Sequence, residues 1–292
     1  MPLDLAASVA ESARMAWERA PTSCATGWRG DGSCAWYHGF WPTLRVLGLA
    51  ATPEREASFF SEVLGECARS GEHDRVLVTG AADQGMLAHV LAAWHAEGRV
   101  PELTVLDQCG TPLHLCEWYA GRNGQAIRTI VGDVLSWEPD RTWDVATSHA
   151  FVGMLPHADK VALVARWAAA LRPGGRLITN ARIDPTWDAA CPGFSPEQVE
   201  QFVAVVREHA EASGAEGIPE ASALADAARL YAQRMLSFPF ASVDELRELF
   251  EQGGFRLARF DVIEVAGRDA SRRSGPGTNR GGTFAQLVAE RR

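Results

Sequence analysis

Three sets of residues in this chain have types and positions suited to chemistry. The first is a run of small residues, Gly80, Ala81 and Ala82, set between apolar Val76 to Val78 and the helically spaced Met86, Leu87, Val90 and Leu91. Side chains this small let a backbone turn sharply and approach a ligand. A helix starting just behind the turn aims its unpaired N–H groups at whatever lies there, which favours a nucleotide or another polar or anionic group. The second set is acids that end apolar runs. Asp107 closes Leu103 to Leu106, and Asp133 follows Ile127 to Val131 and Gly132. Where a strand of an open parallel sheet ends, side chains face the ligand crevice, and a carboxylate there can accept both hydroxyls of a ribose. The third set is histidine. His149 follows the run Trp143 to Ser148, and His38 sits in an aromatic segment with Trp36, Tyr37 and Trp41. Either could act as a general base toward a hydroxyl acceptor.

Cys24, Cys34 and His38 invite a metal reading. Their spacing lacks a close Cys-x-x-Cys pair and no obvious fourth ligand follows, so no metal is expected.

The elements that would position these residues alternate. Short apolar runs ending at Val78, Leu106, Val131, Ser148 and Ile183 are separated by stretches with helical periodicity, which predicts a parallel sheet with right-handed crossovers. Arg172, Pro173, Gly174 and Gly175 should stop the helix before the fifth strand. Before the first strand lies a helical, aromatic segment over 1–70, in which Thr52 and Pro53 read as the start of a helix. After the fifth strand, helices over about 184–240 form an insertion. Ser242 and Glu245 then give a capping signal for one more helix, and Phe255 to Val265 and Thr283 to Glu290 read as two last strands. The expected division is a cap over 1–70 and a core over 71–292.

Composition limits the function. The chain has 292 residues, 47% apolar and 22% charged, and a net charge of -9, which argues against a protein that holds nucleic acid through its phosphates. Lys160 is its one lysine, so no phosphate-binding loop ends in Gly-Lys. No apolar run reaches the ~20 residues of a membrane span, and Asp4 and Glu11 interrupt the amino-terminal apolar residues, unlike a signal peptide. Six scattered cysteines suit a reducing interior. A cytoplasmic, soluble protein without membrane or nucleic acid partners is expected.

The order of elements and several motifs resemble class I S-adenosylmethionine-dependent methyltransferases. Leu171 to Leu177 is similar to that family's segment before its fifth strand, Gly80 and Ala82 to its glycine loop, Asp107 to its ribose acid, and Asp133 to its acid near the adenine. The resemblance covers roughly 75–290. It implies an α/β, Rossmann-like methyltransferase fold, with a mostly parallel seven-stranded sheet, helices on both faces and an antiparallel last strand. It also implies S-adenosyl-L-methionine as cofactor, held by Gly80, Ala81, Ala82, Asp83, Asp107, Gln108, Asp133, Val134 and Ser148. The chain departs from the family at Val78, where an acid is usual, and at Ala82 and Gln84, where glycines are usual; Asp83 or the amino-terminal segment is expected to substitute.

The activity implied is methyl transfer to oxygen or nitrogen of a small molecule, of the kind found in secondary metabolism, with His149 and His38 as the catalytic candidates. Trp36, Tyr37 and Trp41 are the expected lid over the acceptor, and Arg272 and Arg273 the expected contacts for an anionic one. Two other readings compete. A protein with this altered loop could bind without catalysing. Thr79 to Ala82 also looks like the opening of short-chain dehydrogenases, but those need a tyrosine four residues before a lysine, and Pro156 stands four before Lys160.

Overall fold

In a computed structural model of the chain, the described residues are 5–24, 32–50, 52–188, 192–214, 219–265 and 282–292. Seven strands form one sheet: β1 (Arg75–Thr79), β2 (Glu102–Asp107), β3 (Ile127–Val131), β4 (Trp143–Thr147), β5 (Leu171–Ile183), β6 (Phe255–Val265) and β7 (Gly282–Arg291). Their spatial order is β3-β2-β1-β4-β5-β7-β6. The first five strands pair in parallel, and β7 runs antiparallel to both β5 and β6. The expected architecture, with its antiparallel last strand, is the one observed.

The helices are α1 (Leu5–Ser23), α2 (Ala35–His38), α3 (Trp41–Val46), α4 (Ala57–Ser70), α5 (Gly85–Ala96), α6 (Gly110–Arg122), α7 (His157–Ala170), α8 (Pro196–Ser213), α9 (Ala221–Arg234) and α10 (Val243–Gln252). Successive side chains of a strand point to opposite faces, so each strand feeds two cores. Val76, Val78, Val105 and Val145 meet α4, α5 and α6 on one face. Leu77, Leu106, Ala146 and Leu177 meet α7 and α10 on the other. The middle strands are apolar on both sides because both sides are covered.

The α8–α9 insertion and the amino-terminal segment share a third core, in which Phe40, Leu44 and Leu47 pack with Phe202, Leu224 and Tyr231. By contrast α4, within the expected cap, is buried in the sheet core with β1 and α5. No helix of the described residues is long and apolar enough to cross a membrane.

Thr52 is the N-cap residue and Pro53 opens the helical stretch as expected, but its first turn, Pro53–Glu56, is 3-10 and Thr52 makes no side-chain cap bond. Two local expectations are corrected. The connection from β3 to β4, residues 132–142, carries no helix. Residues 172–175 lie inside β5, because Leu171 is already extended and α7 ends at Ala170. A Cβ on Gly175 would fall 2.9 Å from the Arg172 carbonyl oxygen and 3.2 Å from that of Asp144, so a side chain there would push β5 off β4.

Candidate functional site

The carboxyl ends of β1, β2 and β3 open into one cavity of about 300 Å³, within the usual size of a small-molecule site. Its floor is Gly80, Ala81 and Ala82 after β1. Asp107 and Gln108 follow β2, and Gly132, Asp133, Val134 and Leu135 follow β3. Phe151, Met154, Leu155, Pro156 and Asp159, after β4, complete one wall; Cys34, Tyr37 and His38 from the amino-terminal segment close the other. The apolar side chains suit the faces of a flat ring system, and the acids suit hydroxyl or amino groups on it.

Asp107 is 9% exposed and accepts the Cys109 N–H through Oδ1 at 2.8 Å. Burial pushes its carboxyl up to about 6, against the opposing pull of His38 and of the Cys109 N–H. Asp133 closes its own turn, with Oδ1 accepting the Leu135 N–H at 3.0 Å. Gly80 has φ +65°, a region that favours glycine, and a Cβ there would lie 2.5 Å from the Phe151 ring. Phe151 reaches that place after Ala150, which at φ 52° is the one non-glycine with positive φ among the described residues. The Ala150 N–H donates to Asn180 Oδ1 at 2.6 Å, and the Asn180 amide donates to the buried Glu56 carboxylate, also at 2.6 Å.

Of the residues expected to hold a cofactor, Gly80, Ala81, Ala82, Asp107, Gln108, Asp133 and Val134 therefore meet around one cavity. Asp83 and Ser148 are not among its lining residues. Asp83 is buried in an ion pair with Arg45, 2.6 Å from Nη1, and accepts the Gly85 N–H at 2.7 Å. Ser148 exchanges a 2.9 Å hydrogen bond with Thr179 inside the sheet. Gln84, which stands where a glycine was expected, is wholly buried and donates to Ser12 of α1 at 3.0 Å.

His149 is also absent from the lining. Its Nε2 lies 3.8 Å from Glu56 Oε1 and its ring packs edge-on against Phe60. His38 does line the cavity, and its Nδ1 lies 3.9 Å from the Cys24 sulfur. Of the expected lid, Tyr37 reaches the cavity and stacks on Trp41 and Tyr231. Trp36 and Trp41 pack instead into the third core. Arg272 and Arg273 lie outside the described residues. Among the described lining residues there are three carboxylates, Asp107, Asp133 and Asp159, and no lysine or arginine.

Cys109, which sequence spacing did not connect with the others, joins Cys24, Cys34 and His38. All four are buried, and their ligand atoms lie within 4.8 Å of one another. Burial opposes a charge on His38, but hydrogen bonds to Cys109 and Cys24 and the nearby Asp107 raise its pKa. The Cys109 thiol is drawn down by hydrogen bonds from Cys24 and Cys34, with His38 adding to the effect.

No family model and no curated protein matches the sequence. Solved structures do match in shape. The [4+2]-cyclase SpnF aligns with a TM-score of 0.50 and 14% identity, over 82% of this chain and 83% of SpnF. N-methyltransferase NodS from Bradyrhizobium japonicum WM9, in complex with S-adenosyl-L-homocysteine, aligns at 0.48 and 12%, over 86% of this chain and 97% of NodS. TehB from Haemophilus influenzae aligns at 0.48 and 14%; 79% of this chain is covered but only 62% of TehB, so the match spans about six tenths of that protein. With its mostly parallel seven-stranded sheet, antiparallel last strand and flanking helices, the chain has the Rossmann-like fold of class I S-adenosylmethionine-dependent methyltransferases.

Proposed function

We propose that the chain binds S-adenosyl-L-methionine in the β1–β3 cavity and transfers its methyl group to a small-molecule acceptor. The observation that carries this reading is Asp107, a buried carboxylate at the end of β2, facing the same cavity as the small-residue loop after β1. The donor set fits the cofactor. Asp107 suits the ribose hydroxyls, Asp133 suits an exocyclic amino group, and Val134, Leu135 and Leu155 suit the faces of an adenine. Three carboxylates, with no lysine or arginine among the described lining residues, also suit a group with a net positive charge.

The cofactor supplies a methyl group already activated on a sulfonium. The protein then has to hold the acceptor atom in line with it, at about 3–3.5 Å, and keep water away. Tyr37 and His38 on one wall and Phe151 and Met154 on the other are the residues placed to do this. Burial pushes the Tyr37 phenol up, with Asp83 and Asp107 adding, so it stays protonated and serves as a hydrogen-bond donor. An anionic acceptor would call on Arg272 and Arg273, since the described lining offers no lysine or arginine.

One observation favours a second reading, binding without methyl transfer. The Phe151 ring lies directly over Gly80, in space above the first residue of the loop. Fold alone does not decide between the two, because the same fold is found in SpnF, which is described as a [4+2]-cyclase.

The test is calorimetric titration of S-adenosylmethionine and of its demethylated product into wild type, Asp107→Asn and Asp107→Ala. Loss of hydrogen bonds to a charged acceptor should weaken binding by roughly 2–4 kcal/mol in the alanine variant. Absence of binding to wild type removes the proposal. Binding with equal affinity by all three proteins removes Asp107 from it.

A further inference from the structure

We infer that Cys24, Cys34, His38 and Cys109 form a mononuclear, four-ligand metal site that takes zinc or a divalent ion of similar softness. The inference is independent of the function proposed above, since it rests on side chains that meet whether or not a cofactor is bound.

Three stretches of chain bring the ligands together. Cys24 follows α1, Cys34 and His38 sit one helical turn apart around α2, and Cys109 precedes α6, 85 positions from Cys24. The backbone fixes the middle pair, because the His38 N–H donates to the Cys34 carbonyl at 3.1 Å. The Ser33 hydroxyl donates to the Cys24 carbonyl, which ties the two halves of the amino-terminal segment beside the site.

The geometry matches one ion better than a cluster. Zinc–sulfur bonds of about 2.3 Å and zinc–nitrogen bonds of about 2.0–2.1 Å put tetrahedral ligand atoms roughly 3.5–3.8 Å apart. Here all four ligand atoms lie within 4.8 Å of one another, with the Cys24 sulfur 2.9 Å from that of Cys109 and 3.9 Å from His38 Nδ1. An ion seated among them would part the closest pair by about 0.9 Å, from 2.9 Å to a tetrahedral edge of about 3.8 Å. Three sulfurs and one imidazole select a borderline-soft metal over calcium or magnesium. Four protein ligands leave no open position, the pattern of a structural ion and not of a hydrolytic one.

The surroundings supply an outer shell. The Thr111 hydroxyl lies 3.2 Å from the Cys24 sulfur, within reach to hydrogen-bond it. Asp107 accepts the N–H of Cys109, so the loop that carries a ligand also carries the carboxylate of the cavity. An ion here would clamp the amino-terminal segment to the end of β2 and hold Cys34, His38 and Asp107 in fixed relation along the cavity wall. The competing account is a set of ordinary buried thiols, or a Cys24–Cys109 disulfide. Free cysteine is often buried as a small apolar residue. Ordinary packing, however, does not require that three cysteines from separate elements converge on one histidine nitrogen.

The experiment is elemental analysis of the full chain, purified under reducing conditions without chelator from zinc-supplemented cells. Expected is about one zinc per chain, retained by Cys67→Ser and lost by Cys109→Ser and by His38→Ala. Should those two variants fail to fold, cobalt(II) is added to reduced, metal-stripped wild type; thiolate-to-cobalt charge transfer with strong tetrahedral ligand-field bands is the expected spectrum. Wild type free of stoichiometric metal and without that spectrum overturns the inference. So does a Cys24–Cys109 disulfide found by peptide mapping of the protein alkylated directly in cells, or full metal content in both ligand variants.

Discussion

Arg45 and Asp83 form a buried ion pair, with Nη1 2.6 Å from Oδ2 and side chains only 4% and 5% exposed. It joins α3 to the loop between β1 and α5, so the acid expected to grip a cofactor instead anchors the amino-terminal segment there. Removing one partner of such a pair strands the other charge away from water. Arg45→Ala should therefore destabilise the protein by about 3–5 kcal/mol, far more than loss of an exposed arginine. Urea unfolding of Arg45→Ala beside Arg14→Ala, whose side chain is 53% exposed, checks the contrast.

Gly80 is expected to tolerate no side chain. Alanine at φ +65° costs about 1–2 kcal/mol in backbone strain, and its Cβ would overlap the Phe151 ring. Thermal unfolding of Gly80→Ala should show both costs together. In a Phe151→Ala background the same glycine substitution should cost only the strain. Equal stability of the double variant and Phe151→Ala alone would mean that the glycine serves only to make room for the ring.

Glu56 is the hub of a buried polar network. Its carboxylate accepts the amides of Asn180 at 2.6 Å and Gln286 at 3.1 Å, and His149 stands beside it. Glu56→Ala leaves two buried amides unsatisfied and should cost roughly 2–4 kcal/mol by denaturant titration. His149→Ala should cost less and leave cofactor affinity unchanged, as fits a histidine packed on Phe60 and absent from the cavity lining.

Lys160 is 2% exposed, with its ammonium 3.9 Å from the centre of the Phe240 ring. Burial lowers its pKa from near 10.5 to about 8, with Glu245 opposing the shift. Below about pH 8 both folded and unfolded chains carry the proton, and the folded state bears the full cost of the buried charge. Between 8 and 10.5 the unfolded chain holds a proton that the folded one has released, so stability rises with pH through that window. Lys160→Met removes the charge. At pH 7 it should stabilise by about 1–2 kcal/mol, after allowance for the lost ring contact, and the gain over wild type should shrink as pH rises to 10.5. Paired thermal unfolding at pH 7, 8, 9 and 10 follows it.

The sheet was legible because its strands are short, apolar on both faces and separated by helical periods. Asp107 and Asp133 were legible for the same reason, since the end of such a run marks the ligand side of the sheet. What could not be read was which way a side chain turns once the run has ended. Asp83 lies next to Ala82, yet it faces Arg45 because that arginine fills the space under the loop. Ser148 and His149 follow β4 as expected, but the first points into Thr179 and the second toward Glu56. Cys109 is not legible in the same way, because sequence spacing reveals metal ligands only when they are local, and Cys109 lies 85 positions from Cys24. Its position two residues after Asp107 was the one available signal.

The third core, shared by the amino-terminal segment and the α8–α9 insertion, has a consequence for how this protein can change. Phe202, Leu224 and Tyr231 pack with Phe40 and Leu44, and none of these residues belongs to either core of the sheet. Packing contacts couple substitutions only between neighbours, so repacking this unit leaves the sheet and the carboxylate of Asp107 in place. Tyr37 stands at its edge, stacked on Tyr231 and facing the cavity. A change of side-chain volume at position 231 would thus be transmitted through one aromatic ring to the cavity wall. Under the proposed methyl transfer, diversification of acceptor preference and retention of the Asp107 side of the cavity become separable problems.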